Sequence, residues 1–197
     1  MAEKYSGVKF AVPEGSLARK TVLTVESKSL IRAMKKAAKE LAERGLSPGT
    51  SGNISTRVEG GFLITATACK LGSLSDEDFV LVEDFDFDSN SLKKAFGLKN
   101  PSAETPMHDL IYKSRGDARA IIHVHDPVLI TERAVGKLKL PVTEQEHSYG
   151  TKELASAIAD LLSGRDVAVA KGHGIVVIGK SVEECTEKLV LLHRRAK

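Results

Sequence analysis

VAVAKGHGIVVI, residues 167–178, reads as two short strands rich in β-branched residues, 167–170 and 175–178, with only Lys171-Gly172-His173-Gly174 between them. Four residues cannot carry a parallel crossover, which needs a dozen or more, so the two strands must pair antiparallel. Upstream, Gly60-Gly61 separates strand candidates at 54–58 and 62–67 in the same way. Further strands are expected at 79–82 and 120–124, the latter buried and rich in isoleucine. Several strand pairs are thus joined by tight turns, and the fold class expected is α/β with a mixed, mainly antiparallel sheet flanked by helices.

The helices declare themselves by period and by caps. Leu30, Ile31, Met34, Ala37, Ala38 and Leu41 share one face of a helix at 29–44, which Gly45 stops. Ser102 is an N-cap candidate with Glu104 in the first turn and Met107, Leu110 and Ile111 inward. Thr151 caps a helix burying Leu154, Ala155, Ile158, Leu161 and Leu162, and Gly164 ends it. Ser181 and Glu184 make an S-x-x-E capping box for the last helix. Residues 84–100 are expected to be an acidic surface loop. Residues 1–24, with Gly7, Pro13 and Gly15, show no period and are expected to form an irregular arm outside the core, leaving 25–197 as a single domain.

Among 197 residues, 42% are hydrophobic and 28% charged, with a net charge of +3 and the basic residues scattered among acidic ones. That is an ordinary globular balance. With no basic stripe interleaved with aromatics, no nucleic-acid partner is expected. No apolar run is long enough to span a bilayer, so no membrane association is expected either. Cys69 and Cys185 match no CxxC pattern. Free thiols in a reducing cytoplasm are the expectation.

The chemistry concentrates in the histidines. His123-Val124-His125 ends a strand, where residues i and i+2 point to one face, so both imidazoles can reach one ion at ~2.0–2.1 Å. Taken alone, such a pair is more commonly two hydrogen-bonded or solvent-facing histidines. His173 adds weight: Gly172 and Gly174 permit positive φ and close backbone approach, so the turn can aim its imidazole at a neighbouring strand. Together the three suit a divalent metal, zinc first, with Mn2+, Co2+ or Ni2+ compatible with the same donors. Glu104 alone would be only a helix-dipole partner. Beside the histidines it becomes a candidate fourth ligand or general acid/base. Gly49-Thr50-Ser51-Gly52-Asn53 is a turn whose N–H groups and hydroxyls can wrap an anion, although it is neither a Walker loop nor a dinucleotide fingerprint.

In order along the chain, GTSGNIS, FLITAT, PSAE, HVHD and KGHG resemble the class II sugar-phosphate aldolase/epimerase family, from about residue 27 onward. That family includes L-fuculose-1-phosphate aldolase, L-ribulose-5-phosphate 4-epimerase and the adducin head. The resemblance implies a three-layer α/β/α fold, a cyclic homotetramer and a small sugar phosphate as substrate. It implies that His123, His125 and His173 bind zinc, and that Glu104 ligates the resting metal and then shuttles protons. It also places Gly52, Asn53, Thr65 and Ser102 at the substrate phosphate. The implied reaction is retro-aldol cleavage of a ketose 1-phosphate to dihydroxyacetone phosphate and an aldehyde, with the metal neutralising an enediolate.

Two departures stand out. PSAE replaces the family's PSSE and TATA its TPTG, so Ala103 lacks a hydroxyl and Ala68 stands in place of a glycine. Each hydrogen bond lost to a charged group costs roughly 1.5–3 kcal/mol, which leaves room for a different or non-phosphorylated substrate. Two other activities share the metal site: 4-epimerisation of a pentulose phosphate, and dehydration using Glu144 or Glu146. A non-catalytic domain like the adducin head is the alternative of a different class. Tyr149 lies near where the family supplies a tyrosine to the site. His108, His147 and His193 read as structural or solvent-facing, His193 complementing the dipole of the last helix.

Overall fold

The computed structural model describes residues 6–197. Its core is one eight-stranded sheet made of β1 (Leu17–Ala18), β2 (Asn53–Val58), β3 (Gly61–Thr65), β4 (Phe79–Asp86), β5 (Ser91–Phe96), β6 (Ala120–Val124), β7 (Val167–Ala170) and β8 (Gly174–Gly179). The order across it is β1-β5-β4-β3-β2-β6-β8-β7. Every pairing is antiparallel except β1 with β5, as the tight turns required.

Five helices cover the two faces: α1 (Val25–Glu43), α2 (Thr105–Ser114), α3 (Glu132–Leu138), α4 (Lys152–Leu161) and α5 (Val182–Ala196). Strand alternation sorts the core into two apolar clusters. Ile54, Ile122, Val124, Ile175 and Val177 pack with Met34, Leu41 and Leu189 of α1 and α5. Ile121, Val176 and Ile178 pack on the other face with Met107 and Ile111 of α2 and Leu154 and Ile158 of α4. The result is an α/β/α sandwich.

Four expectations need correction. Residues 84–100 are not a loop: they complete β4 and contain β5, a hairpin that buries Phe85, Leu92 and Ala95. Register shifts between Val82 and Asp84 and between Asp84 and Phe85 break the two-residue period that would have revealed it. The arm does not lie outside the core. Phe10 and Val22 are buried, Ala11 bridges to Ser91, and β1 adds an edge strand; residues 1–5 lie outside the described residues. Helix α1 begins earlier than periodicity indicates. Thr24 caps it and accepts from the Ser27 N–H, while Ser27 Oγ accepts from the Thr24 N–H, a capping box with serine where Glu or Gln is usual.

Finally, Ser102 is not the cap of α2. Glu104 occupies that position with no side-chain capping bond, and Ser102 Oγ accepts the Glu104 N–H at 3.2 Å. The carboxylate is thereby released from the helix end to face the sheet. Helix α3, unassigned from sequence, is short and capped by Thr131. At α5 only half of the box forms as written: Ser181 accepts from Glu184 N, but the Glu184 carboxylate accepts from Lys180 N. No helix among the described residues is long and apolar enough to cross a membrane.

Candidate active site

On β6, Ile122 and Val124 face α1 and α5, so His123 must face α2, and His125 continues on that side beyond the strand end. Strand β8 pairs beside β6, with His123 opposite Val176. The turn before β8 delivers His173 to the same spot. Donor nitrogens of His123, His125 and His173 lie within 4.8 Å of one another. Gly174 permits this approach. A Cβ there would run into His123 Cε1 and sit 2.7 Å from the Val124 carbonyl oxygen and 3.1 Å from His125 Cδ2.

Glu104 completes the cluster from the opposite layer. Its Oε2 lies 3.4 Å from His123 Nε2 and its Oε1 3.4 Å from His173 Nε2, while His123 Nε2 and His125 Nε2 are 2.9 Å apart. Donors arranged tetrahedrally at ~2.0–2.1 Å around one ion stand roughly 3.4 Å apart, so these spacings fit a single cation. The tautomers fit as well. His123 Nδ1 faces the Ile175 carbonyl oxygen at 3.2 Å and therefore carries the proton, turning a lone pair of Nε2 into the cluster. Glu104 Oε2 is buried with no hydrogen-bond partner among the described residues. Lone pairs aimed at one another inside a protein are costly unless a cation lies between them.

Electrostatics supports that reading. Burial drives His123 well below the ordinary histidine value and His125 down to about 4, with neighbouring imidazoles adding to both, so these rings are neutral, the form a metal ligand needs. Burial raises Glu104, but the surrounding histidines lower it by more, and it stays ionised. Cys69 and Cys185 are free thiols, pushed by burial to about 11 and about 12, and neither is a nucleophile at neutral pH.

The cluster opens onto a cleft of about 350 Å³ lined by His125, His173, Glu104, Gly52, Asn53 and Ser102 among others. Gly52 docks the 49–53 turn against β6: its φ is +88°, and a Cβ would lie 2.7 Å from the His123 carbonyl oxygen. The Ser47 hydroxyl closes the turn by donating to the Ser51 carbonyl.

The profile described as Class II Aldolase and Adducin N-terminal domain matches residues 32–197. The chain belongs to that family. The L-fuculose phosphate aldolase of Escherichia coli O6:H1 is 30% identical over 174 residues, covering 81% of this chain and 77% of the relative. The L-fuculose phosphate aldolase of Methanocaldococcus jannaschii is 28% identical, with 82% and 91% covered. A 5-methylthioribulose-1-phosphate/5-deoxyribulose-1-phosphate aldolase of Rhodospirillum rubrum is 25% identical, with 75% and 69% covered. Among solved structures, a sugar-phosphate aldolase from Thermotoga maritima superimposes with a TM-score of 0.73 at 25% identity, covering 87% of this chain and 93% of that one. Class II aldolase membership supports an aldolase-type lyase, and the three histidines form a group able to hold the metal such enzymes need.

Within this class II aldolase domain, Gly52, Asn53 and Ser102 come together on the cleft, but Thr65 does not. Thr65 is fully buried at the end of β3, where its Oγ1 accepts the Ile54 N–H at 3.2 Å. The chain then turns through 66–68, and it is Thr67 that lines the cleft, beside Thr50 and Ser51. Ala68, in the family's glycine position, has φ +57°, a left-handed conformation that glycine adopts freely. Ala103 and Tyr149 line the cleft, and the Tyr149 hydroxyl accepts the Ser6 N–H and donates to the Gly7 carbonyl. His193 is buried, its Nδ1 2.6 Å from Asp126 Oδ2, which ties α5 to the residue after His125. His108 is fully buried and bonded to Asn53. Its place four residues after Glu104, one turn along α2, was the signal available in the sequence.

Proposed function

We propose that the chain is a zinc-dependent aldolase that cleaves a ketose 1-phosphate of the fuculose-1-phosphate type to dihydroxyacetone phosphate and an aldehyde. The observation that carries this reading is the convergence of three imidazoles and one carboxylate at the base of a cleft rimmed with anion donors. His123, His125 and His173 would hold the ion with Glu104 beside them. The ion, when bound, supplies Lewis-acid polarisation of the substrate carbonyl and neutralises charge developing there. Zinc suits this donor set, and Mn2+, Co2+ and Ni2+ compete for it.

The remaining work falls to the chain. Glu104 is held by the Gly150 N–H donating to Oε1 at 3.2 Å, leaving Oε2 to receive the proton that the C4 hydroxyl loses as the C3–C4 bond breaks and to deliver one to C3, the carbon beside the carbonyl. Asn53, Thr67, Ser102 and the backbone at Gly52 anchor the phosphate. No lysine among the described residues lines the cleft, so the reading needs no Schiff base. Among the described residues Glu104 is the sole carboxylate lining the cleft; Glu144 and Glu146 are exposed, and the Glu146 carboxylate packs against Gly172 at the cleft edge, so the dehydratase alternative would have to draw on a carboxylate outside the lining. The complete donor set counts against a non-catalytic adducin-like role. The reading includes a cytoplasmic homotetramer: both cysteines are free, as a reducing compartment allows, and Leu98, Val142 and Leu191 remain as large exposed apolar side chains for subunit contacts.

The test is to load the protein with zinc, supply L-fuculose 1-phosphate or ribulose 1-phosphate, and follow dihydroxyacetone phosphate with a coupled reductase. Steady release is expected. No release from fully zinc-loaded protein would remove the aldolase assignment.

A further inference from the structure

Behind the cleft runs a buried line of four polar side chains, three of which the aldolase reading leaves unused. Tyr112 OH lies 2.8 Å from Ser55 Oγ, Ser55 Oγ 2.7 Å from His108 Nδ1, and His108 Nε2 2.6 Å from Asn53 Oδ1. All four residues are at least 94% buried. Two periodicities mesh to build the line. Asn53 and Ser55 are i and i+2 on β2, and His108 and Tyr112 are i and i+4 on α2, so each pair shares the face that meets the other.

Such a line has two possible proton orders. In the first, Tyr112 donates to Ser55, Ser55 to His108 Nδ1, and His108 Nε2–H to the Asn53 carbonyl oxygen, and every hydrogen finds one acceptor. In the second, the Asn53 amide donates to His108 Nε2, Nδ1–H donates to Ser55, and Ser55 donates to Tyr112. The phenolic hydrogen of Tyr112 then has no acceptor among the described residues, a buried orphan of the kind folded proteins avoid. Burial keeps the His108 ring neutral and the Tyr112 hydroxyl protonated, as the first order requires. Only that order turns the Asn53 NH2 group away from His108 and toward the cleft that Asn53 lines.

We propose that Tyr112, Ser55 and His108 are positioning residues that lock the Asn53 amide with its NH2 toward the cleft, making this wall a fixed donor for an anionic oxygen. An asparagine free to rotate would offer its carbonyl oxygen as readily and repel the anion. The proposal rests on the phosphate-binding cleft described above, and it adds a source for that cleft's selectivity lying outside the residues that touch the ligand.

Two measurements test it. Long-range proton–nitrogen correlation on protein labelled at its six histidines reads the His108 tautomer directly. The Nε2–H form is expected, and the Nδ1–H or doubly protonated form at neutral pH overturns the relay. Inorganic phosphate is then titrated while the Asn53 side-chain amide is followed. Tyr112→Phe and His108→Leu should weaken phosphate binding about tenfold or more, the scale of one hydrogen bond to a charged group, and His108→Gln, whose amide can still donate to Asn53, should recover most of it. Unchanged phosphate binding in His108→Leu overturns the relay alone. Absence of phosphate binding in the unaltered protein overturns the anion cleft and the relay's purpose with it. Should His108→Leu not fold, the tautomer and Tyr112→Phe decide the matter.

Discussion

Gly174→Ala separates a packing requirement of the metal centre from backbone strain. Gly174 does not have positive φ, so alanine meets no conformational penalty there. What it meets is steric: the added methyl runs into His123 Cε1 and comes within 2.7 Å of the Val124 carbonyl oxygen and 3.1 Å of His125 Cδ2. The first two of these cannot swing aside. The His123 ring is held by its bond to Ile175, and Val124 lies in the β6–β8 ladder. Overpacking of such a site costs about 3 kcal/mol, the upper end of the usual range, which for a chain of this size lowers the melting temperature by roughly 6–12 °C. In the proposed centre both displaced rings are metal ligands, so zinc affinity should fall about 10–100-fold, as when ligand orientation is disturbed elsewhere. Thermal unfolding of metal-free protein and a competition titration with a zinc dye measure the two effects. Gly116→Ala, where a Cβ meets nothing within 4 Å, is the control. Zinc binding by Gly174→Ala with unaltered affinity would refute the convergence of the HVH and GHG segments on one ion.

Three further outcomes are expected. A chelator should lower the unfolding temperature of metal-loaded protein and abolish dihydroxyacetone phosphate release, and zinc should restore both, because the donor nitrogens of His123, His125 and His173 and the Glu104 carboxylate are left facing one another; activity surviving complete chelation would contradict this. His108, pulled by burial from 6.5 to about 4, is neutral in both folded and unfolded chains above pH 6.5 and adds no pH dependence there. As pH falls from 6.5 toward 4 the unfolded chain gains a proton that the folded one refuses, so about 3 kcal/mol of stability should be lost, and urea unfolding of His108→Gln should show a slope shallower by that amount. Ala68→Gly should stabilise the fold by about 1 kcal/mol, since φ +57° is strained for alanine and free for glycine; a lower denaturation midpoint would show that the turn is held another way.

Residue types with local consequences were readable directly. The two-residue period of a strand puts His123 and His125 on one side whatever the surrounding fold, and four residues between 167–170 and 175–178 force an antiparallel pair. Apolar spacing located most of α1, α2 and α4, Thr151 marked the start of α4, and Ser181 with Glu184 marked α5. Where a local signal was interrupted, the reading failed. The bulges in β4 hid a hairpin, and a serine at the third position hid the true start of α1.

By itself, then, the sequence determined which imidazoles could share a face, the antiparallel character of the sheet and the family motifs in their order. Tertiary structure alone decided that Glu104 reaches those imidazoles, that Thr67 rather than Thr65 looks into the cleft, that Phe10 belongs to the core, and that His108 stands behind Asn53. The division is physical. Backbone periodicity and capping depend on neighbours a few residues apart, whereas the meeting of residues 53, 104, 123 and 173 depends on the β2-β6-β8 order and on α2 docking across it. Those pairings are set by burial summed over both faces of the sheet, a quantity no local stretch of chain contains.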